Sequence, residues 1–292
     1  MKIVNILGGL GNQMFEYAMY LALKKVHPEE KIYCSINSFK GYGLHNGYEL
    51  YRIFGIKVNE PSLLELANLA YPFINYKSWQ IMQHFFPKRK SMTLGTTQIP
   101  FDYNEILRTD SVFYDGYWQN ENNFKSIRDV VLEKFSFPDF DTVKNVRLKE
   151  VLEKENSVSL HVRRGDYLKE PAMCVCTPKY YERAISMMND IVHPTMYCIF
   201  SDDVVWCKRE LKQILGNVKV EFVDWNNGSN SYRDMQLMSL CSHNIIANSS
   251  FSWWGAWLNK NINKVVIAPE QWMNRPLKND PICESWLRVQ VD

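Results

Sequence analysis

SVSLHVRRGDY, residues 157–167, sets a short apolar strand directly against two adjacent arginines, a glycine and an aspartate. The apolar run predicts a buried strand, and open α/β sheets bind their ligands outside the carboxyl ends of such strands. Guanidinium is planar, permanently charged and carries a fork of donors that matches phosphate or carboxylate oxygens. The end of this strand is therefore a candidate anion site, for a phosphate above all. Successive side chains of an extended chain point to opposite sides. Arg163 shares strand parity with His161 and is the arginine expected to face the ligand, while Arg164 is expected in a supporting or structural ion pair. Gly165 permits the turn, and Asp166 can orient an arginine or accept from a ligand hydroxyl.

Downstream the same rhythm continues. Apolar β-rich runs at 157–162, 196–200, 218–223, 244–247 and 264–268 alternate with helical patterns near 178–191, 203–215, 231–242 and 251–260. Such alternation predicts a doubly wound parallel sheet with helices on both faces. Upstream the pattern is less regular: a strand at 2–7, a helix at 13–26 on the stripe Met14, Ala18, Leu21, Ala22, a second strand at 31–36 and a Gly- and Tyr-rich loop at 37–48. Helices without clean strand alternation are expected over 60–100, then a strand at 112–118 and helices at 122–135 and 143–155, with FSFPDFD (135–141) as a linker. The change of rhythm divides the 292 residues into domains 1–150 and 151–292, and the length fits two such domains.

A net charge of +2, with no basic run long enough to track a polyanion, argues against nucleic acid as the principal partner. Lys88, Arg89 and Lys90 read as a solvated loop in preference to a contact with a membrane surface. The amino-terminal apolar run is broken by glycines and too short for a signal peptide, and no later run reaches the length of a membrane span. Seven dispersed cysteines, an odd number lying mostly in apolar segments, read as reduced buried thiols. Cys174 and Cys176 are spaced C-x-C with neither a second pair nor a nearby histidine, which does not make a metal motif.

Three more segments carry candidate chemistry. Gly8-Gly9-Leu10-Gly11-Asn12-Gln13 follows a strand and opens a helix but matches neither the dinucleotide fingerprint nor a Walker loop, since the third glycine of the fingerprint would fall at Met14. Its glycines allow close approach of a ligand to the backbone, and Asn12 either presents its amide there or caps the helix. Ser201-Asp202-Asp203 reads as a helix cap in preference to a metal site, because the pattern is D-D and not D-x-D. Asn248-Ser249-Ser250-Phe251-Ser252-Trp253-Trp254 opens another helix with hydroxyls, a ready phosphate site, while Phe251, Trp254 and Leu258 share a core-facing side. Asp234, on the preceding helix, either meets a nucleotide base edge or decorates the surface.

In this order and spacing, GGLGNQMFEYA (8–18), HNGYELYRIF (45–54), HVRRGDY (161–167), SDDVVWCK (201–208) and NSSFSWWGAWL (248–258) resemble the α-1,2-fucosyltransferases of glycosyltransferase family 11. The resemblance implies an α/β, GT-B-like fold of two Rossmann-like domains: an acceptor-side domain, and a carboxyl-terminal doubly wound sheet that holds GDP-fucose. It also implies inversion at the anomeric carbon and no metal or other cofactor. By the same resemblance Arg163 binds the donor β-phosphate, supported by Arg164, with His161 beside the donor. Asp234 contacts the guanosine, and Asn248, Ser249, Ser250 and Phe251 surround the phosphates. Gly9 and Gly11 belong to the donor-binding set, and Asn12, in the glycine turn, faces the fucose or the acceptor hydroxyl. Asp166, Glu16 and Asp115 are the candidate bases, with none singled out. The expected partners are GDP-fucose and a β-galactoside-terminated glycan. The expected setting is bacterial and cytoplasmic, with at most peripheral attachment to a membrane. Two alternatives stand beside this reading, a non-catalytic sugar-binding protein and a transferase of another nucleotide sugar.

Overall fold

In the computed structural model, which describes residues 1–173 and 175–292, the chain forms two units. One comprises Met1–Pro138 with Lys278–Pro281, the other Asp139–Leu277 with Ile282–Asp292. Cys174, one half of the C-x-C pair, lies outside the described residues. Each unit carries its own parallel sheet, so the chain is α/β throughout.

The first sheet contains β1 (Lys2–Asn5), β2 (Ile32–Ser35), β3 (Met92–Gly95) and β4 (Val112–Gly116) in the order β2-β1-β4-β3. The helix Leu10–Val26 links β1 to β2 and begins ahead of the expected residue 13. Gly9 is its N-cap in an extended conformation, so Asn12 sits in the first turn and is not the cap. The glycine turn is held by Gln13, whose buried amide donates to the carbonyls of Gly8 and Gly47 at 2.8 Å each and accepts from the Glu49 amide at 2.9 Å. One side chain thereby ties the glycine-turn segment to the HNGYE loop. The helices expected over 60–100 are present at Leu63–Ala70 and Tyr76–Met82, followed by the unexpected strand β3.

The second sheet contains β5 (Ser157–Val162), β6 (Met196–Ser201), β7 (Lys219–Val223), β8 (His243–Ile245), β9 (Val266–Pro269) and β10 (Leu287–Val289). Its order is β10-β9-β8-β5-β6-β7, parallel throughout. Counted from β5, this is the 3-2-1-4-5-6 order of doubly wound nucleotide-binding sheets, and it reverses between β5 and β8. Both faces are covered. Along β6, Tyr197 and Ile199 enter one core with Tyr181, Ile185 and Leu211, while Met196, Cys198 and Phe200 enter another with Leu148, Leu152, Leu237 and Met238. Period-two alternation thus sends neighbouring residues to opposite helical layers. Leu148 and Leu152 of the helix Val143–Leu152 belong to this second core, which moves the division of the chain ahead of residue 150 and into the Pro-containing segment.

Candidate functional site

The sheet reversal brings the carboxyl ends of β5 and β8 side by side, and the residues singled out at 161–167 and 248–251 follow those two strands. Arg163 donates from Nη2 to Asp166 Oδ1 at 2.7 Å and from Nη1 to Asp202 Oδ2 at 3.0 Å, with its guanidinium 5.4 Å from the Tyr167 ring centroid. It stays about one-third exposed. Arg164 turns away: its Nε meets Asp203 Oδ2 at 3.1 Å, and its guanidinium lies 4.2 Å over the Trp206 ring. Both arginines follow the last residue of β5, Val162, and they pair with different carboxylates.

Asp202 and Asp203 serve both. Asp203 Oδ1 caps the helix Val204–Leu215 by accepting from the Trp206 amide at 3.0 Å, while Asp202 Oδ1 accepts from the Arg164 backbone N–H at 2.9 Å. The capping reading therefore holds for Asp203, and Asp202 adds an ion pair. Gly165 makes this approach possible, since a Cβ there would come within 2.8 Å of Asp202 Oδ2.

His161 is buried, its ring centroid is 5.9 Å from that of Phe251, and its Nδ1 has no hydrogen-bond partner among the described residues. Burial, and then the Arg163 charge, push its pKa down to about 3, so the imidazole is neutral at physiological pH. A buried unpartnered nitrogen costs about 1–3 kcal/mol, which a ligand atom can recover.

On the β8 side, Ser249 caps the helix Ser250–Leu258 by accepting from the Phe251 amide at 3.3 Å. Trp253, Trp254 and Trp257 bury the far side of this helix, and Phe251 packs half-buried against the second core. Tyr167 Oη donates to the Asn248 carbonyl at 3.2 Å, joining the loops after the two strands. Asn248 departs from expectation: its amide donates to the carbonyls of Met173 and Trp272 at 2.9 and 3.0 Å, and its Oδ1 accepts from Cys176 Sγ. Its side chain is committed to holding the surrounding loops.

Asp234 is half-buried, accepts from Asn226 Nδ2 at 2.8 Å, and burial pushes its pKa up to about 7. Asn226 pairs in turn with Asn145, which accepts from Trp225 Nε1 at 2.7 Å. Asn145, Trp225 and Asn226, with Lys144 and Arg233, line a cavity of about 310 Å³ beyond the end of β7, and Asp234 reaches it through its hydrogen bond with Asn226. Sequence reasoning missed Trp225 and Asn226, although their place after an expected strand end was a usable signal.

Gly9, Gly11 and Asn12 belong to the first unit. Asn12 Oδ1 accepts from Gln119 Nε2 at 2.8 Å, and a Cβ on Gly9 would come within 3.3 Å of His45 Nδ1. Glu16 and Asp115 meet at a separate cavity in this unit, of about 390 Å³, walled by Tyr42, Tyr76, Trp79 and Tyr117. The rings of Tyr76 and Trp79 are stacked at 15° with centroids 6.1 Å apart. Glu16 is buried and accepts from the Leu7 amide at 2.9 Å; burial raises its pKa, and the Asp115 charge adds to the rise. Asp115 accepts through Oδ1 from Asn5 Nδ2 at 2.9 Å and from the Gly116 amide at 3.0 Å. Among the described residues, no three His, Cys, Asp or Glu side chains gather as metal ligands.

An α-1,2-colitosyltransferase of Escherichia coli is 32% identical over 99% of this chain and 98% of its own length. The O-antigen biosynthesis glycosyltransferase WbnK, also of E. coli, is 27% identical over 97% and 98%. The galactoside 2-α-L-fucosyltransferase SEC1 of Bos taurus is 26% identical over 87% of this chain and 63% of its own length. Among solved structures, the α-1,6-fucosyltransferase NodZ soaked with GDP-fucose aligns over 88% of this chain and 91% of its own, at 11% identity and a TM-score of 0.49. The family model for glycosyl transferase family 11 matches residues 1–290, and the chain belongs to that family of glycosyltransferases.

Proposed function

We propose that the protein is an inverting α-1,2-fucosyltransferase that moves L-fucose from GDP-β-L-fucose to the 2-hydroxyl of a terminal β-galactoside in O-antigen or surface polysaccharide synthesis. The observation that carries this reading is Arg163, held by Asp166 and Asp202 at the sheet reversal beside the helix Ser250–Leu258. In the transfer, the bond between fucose C1 and the β-phosphate oxygen breaks and the acceptor oxygen bonds to C1 from the opposite face. The acceptor proton passes to a base. Negative charge grows on the β-phosphate, and a guanidinium with a helix amino terminus meets that demand.

In this reading His161 offers its free Nδ1 to the donor, and Arg164 buttresses the loop through Asp203. Asp234, with the Trp225 and Asn226 cavity, takes the base edge. Ser249, Ser250 and Phe251 frame the phosphates, whereas Asn248 holds the loops that shape the pocket. The second unit is thus the donor unit and the first the acceptor unit. There the aromatic walls of the larger cavity suit the apolar faces of a pyranose, and its polar groups suit the hydroxyls. Gly9 and Gly11 let the donor approach the backbone closely, and Asn12 faces the transferred sugar or the acceptor hydroxyl. Asp166 is engaged by Arg163 and orients it, so the base role goes to Asp115, whose Oδ2 takes no hydrogen bond among the described residues.

The 32% identical colitosyltransferase favours a second reading in which the donor sugar is colitose, the 3-deoxy analogue of fucose. Transfer assays with both nucleotide sugars on a panel of β-galactosides separate the two. Arg163→Ala is expected to lower kcat with the preferred donor by about 100- to 1,000-fold while circular dichroism stays unchanged. A folded variant with the parental rate would refute the phosphate role, and binding of a β-galactoside without any binding of GDP would leave a sugar-binding protein instead.

A further inference from the structure

Residues 66–101 contain no aspartate or glutamate, although the chain average of 32 acidic residues in 292 would give a window of this size about four. The same window carries Lys77, Lys88, Arg89 and Lys90, all exposed. Directly ahead of the basic triplet, the chain leaves the helix Tyr76–Met82 in a turn whose Phe85 and Phe86 amides donate to the Met82 carbonyl at 3.0 and 2.9 Å. That turn leaves Phe85 74% exposed and Phe86 52% exposed, and Ile81 on the preceding helix is 57% exposed. The helix itself buries no residue fully.

Lone exposed apolar residues are ordinary, but two adjacent phenylalanines followed by three cations in a segment without acids are not. Water solvates the cations well and the phenyl rings poorly, so composition alone does not explain the pairing. A solvated loop, the reading the basic triplet takes by itself, leaves the rings unaccounted for. We propose that the turn at residues 81–90 docks the protein on an anionic lipid bilayer, with Ile81, Phe85 and Phe86 entering the headgroup boundary and Lys77, Lys88, Arg89 and Lys90 facing the lipid phosphates. Aromatic rings favour that boundary, and each cation near an anionic surface adds about a fivefold gain in partitioning. Attachment of this kind requires no membrane-crossing helix, and no helix among the described residues is long and apolar enough to be one.

Sedimentation of the intact protein with vesicles tests this, using phosphatidylcholine alone and phosphatidylcholine with 30–40% phosphatidylglycerol, about the range in which cation attraction is felt. The protein is expected to pellet with the anionic vesicles and to be released by about 0.5 M NaCl. Phe85→Ser/Phe86→Ser and Arg89→Glu/Lys90→Glu are each expected to weaken partitioning at least twentyfold, with circular dichroism unchanged. No pelleting with anionic vesicles, or equal pelleting of parent and both folded variants, overturns the proposal. So does concentration-dependent self-association in lipid-free buffer that Phe85→Ser/Phe86→Ser abolishes, because the patch would then join two copies of the chain.

Discussion

A buried carboxyl next to an ionised one keeps its proton unless a cation compensates, and the hydrogen bond to Glu16 among the described residues comes from the Leu7 amide. Unfolded, Glu16 would lose its proton near the ordinary glutamate value of 4.5; folded, it holds the proton to higher pH. The folded state therefore binds more protons in that window, and stability falls as pH rises above 4.5 toward the raised folded value. Glu16→Gln copies the protonated side chain. It is expected to raise Tm at pH 8 relative to the parent, to leave Tm at pH 4.5 nearly unchanged, and to keep kcat within about threefold. Asp115→Asn is expected to cost at least about 100-fold in kcat, in line with its proposed role as base. A loss of about 100-fold in Glu16→Gln with near-parental kcat in Asp115→Asn would reverse the assignment of proton and base. The different ion-pair partners of Arg163 and Arg164 agree with the side-chain alternation expected of an extended chain, a local property legible in the sequence. The commitment of Asn248 was not legible, because its partners Met173 and Trp272 lie far from it in the chain.

At the scale of elements, most of the strands expected from the sequence carry near-continuous apolar runs, the signal of burial on both faces, although β7, at a sheet edge and only partly buried, is expected as well from its run at 218–223. β3 and β10 sit at sheet edges, are only four and three residues long, and are incompletely buried, so no such run marks them. The amino-terminal helix starts before its periodic stripe because a glycine caps it, which leaves no side-chain cap to find in the sequence. The turn after β5 is different: its glycine was visible, and the reason for it is now physical. A methyl group at residue 165 would meet Asp202 Oδ2 at 2.8 Å, and that carboxylate can yield only by leaving Arg163 Nη1 and the Arg164 amide. Gly165→Ala is accordingly expected to lower kcat/KM for the donor by about tenfold, the equivalent of one charge-assisted hydrogen bond, with little change in Tm. A variant with parental kcat/KM would mean that Asp202 does not position the arginine.

Across the whole molecule, the division of the chain is not a single cut. Lys278–Pro281 belongs to the first unit although both its flanks belong to the second. The amides of Lys278 and Asn279 donate to the Thr97 carbonyl at 3.0 and 3.2 Å, and Asn279 Oδ1 accepts from the buried Asn120 amide at 2.6 Å. No periodicity announces a four-residue return of this kind, which is why reading the chain from end to end yields a single boundary. Its energetic consequence can be located. Asn279→Ala strips a buried amide of its best acceptor, a loss of about 1–3 kcal/mol. Hydrogen exchange followed by mass spectrometry should then show amides over residues 92–124 exchanging about 5- to 150-fold faster through local opening, while those of β5, β6 and β8 keep their protection. Loss of protection spread evenly over both sheets would show that Lys278–Pro281 stabilises the second unit as much as the first.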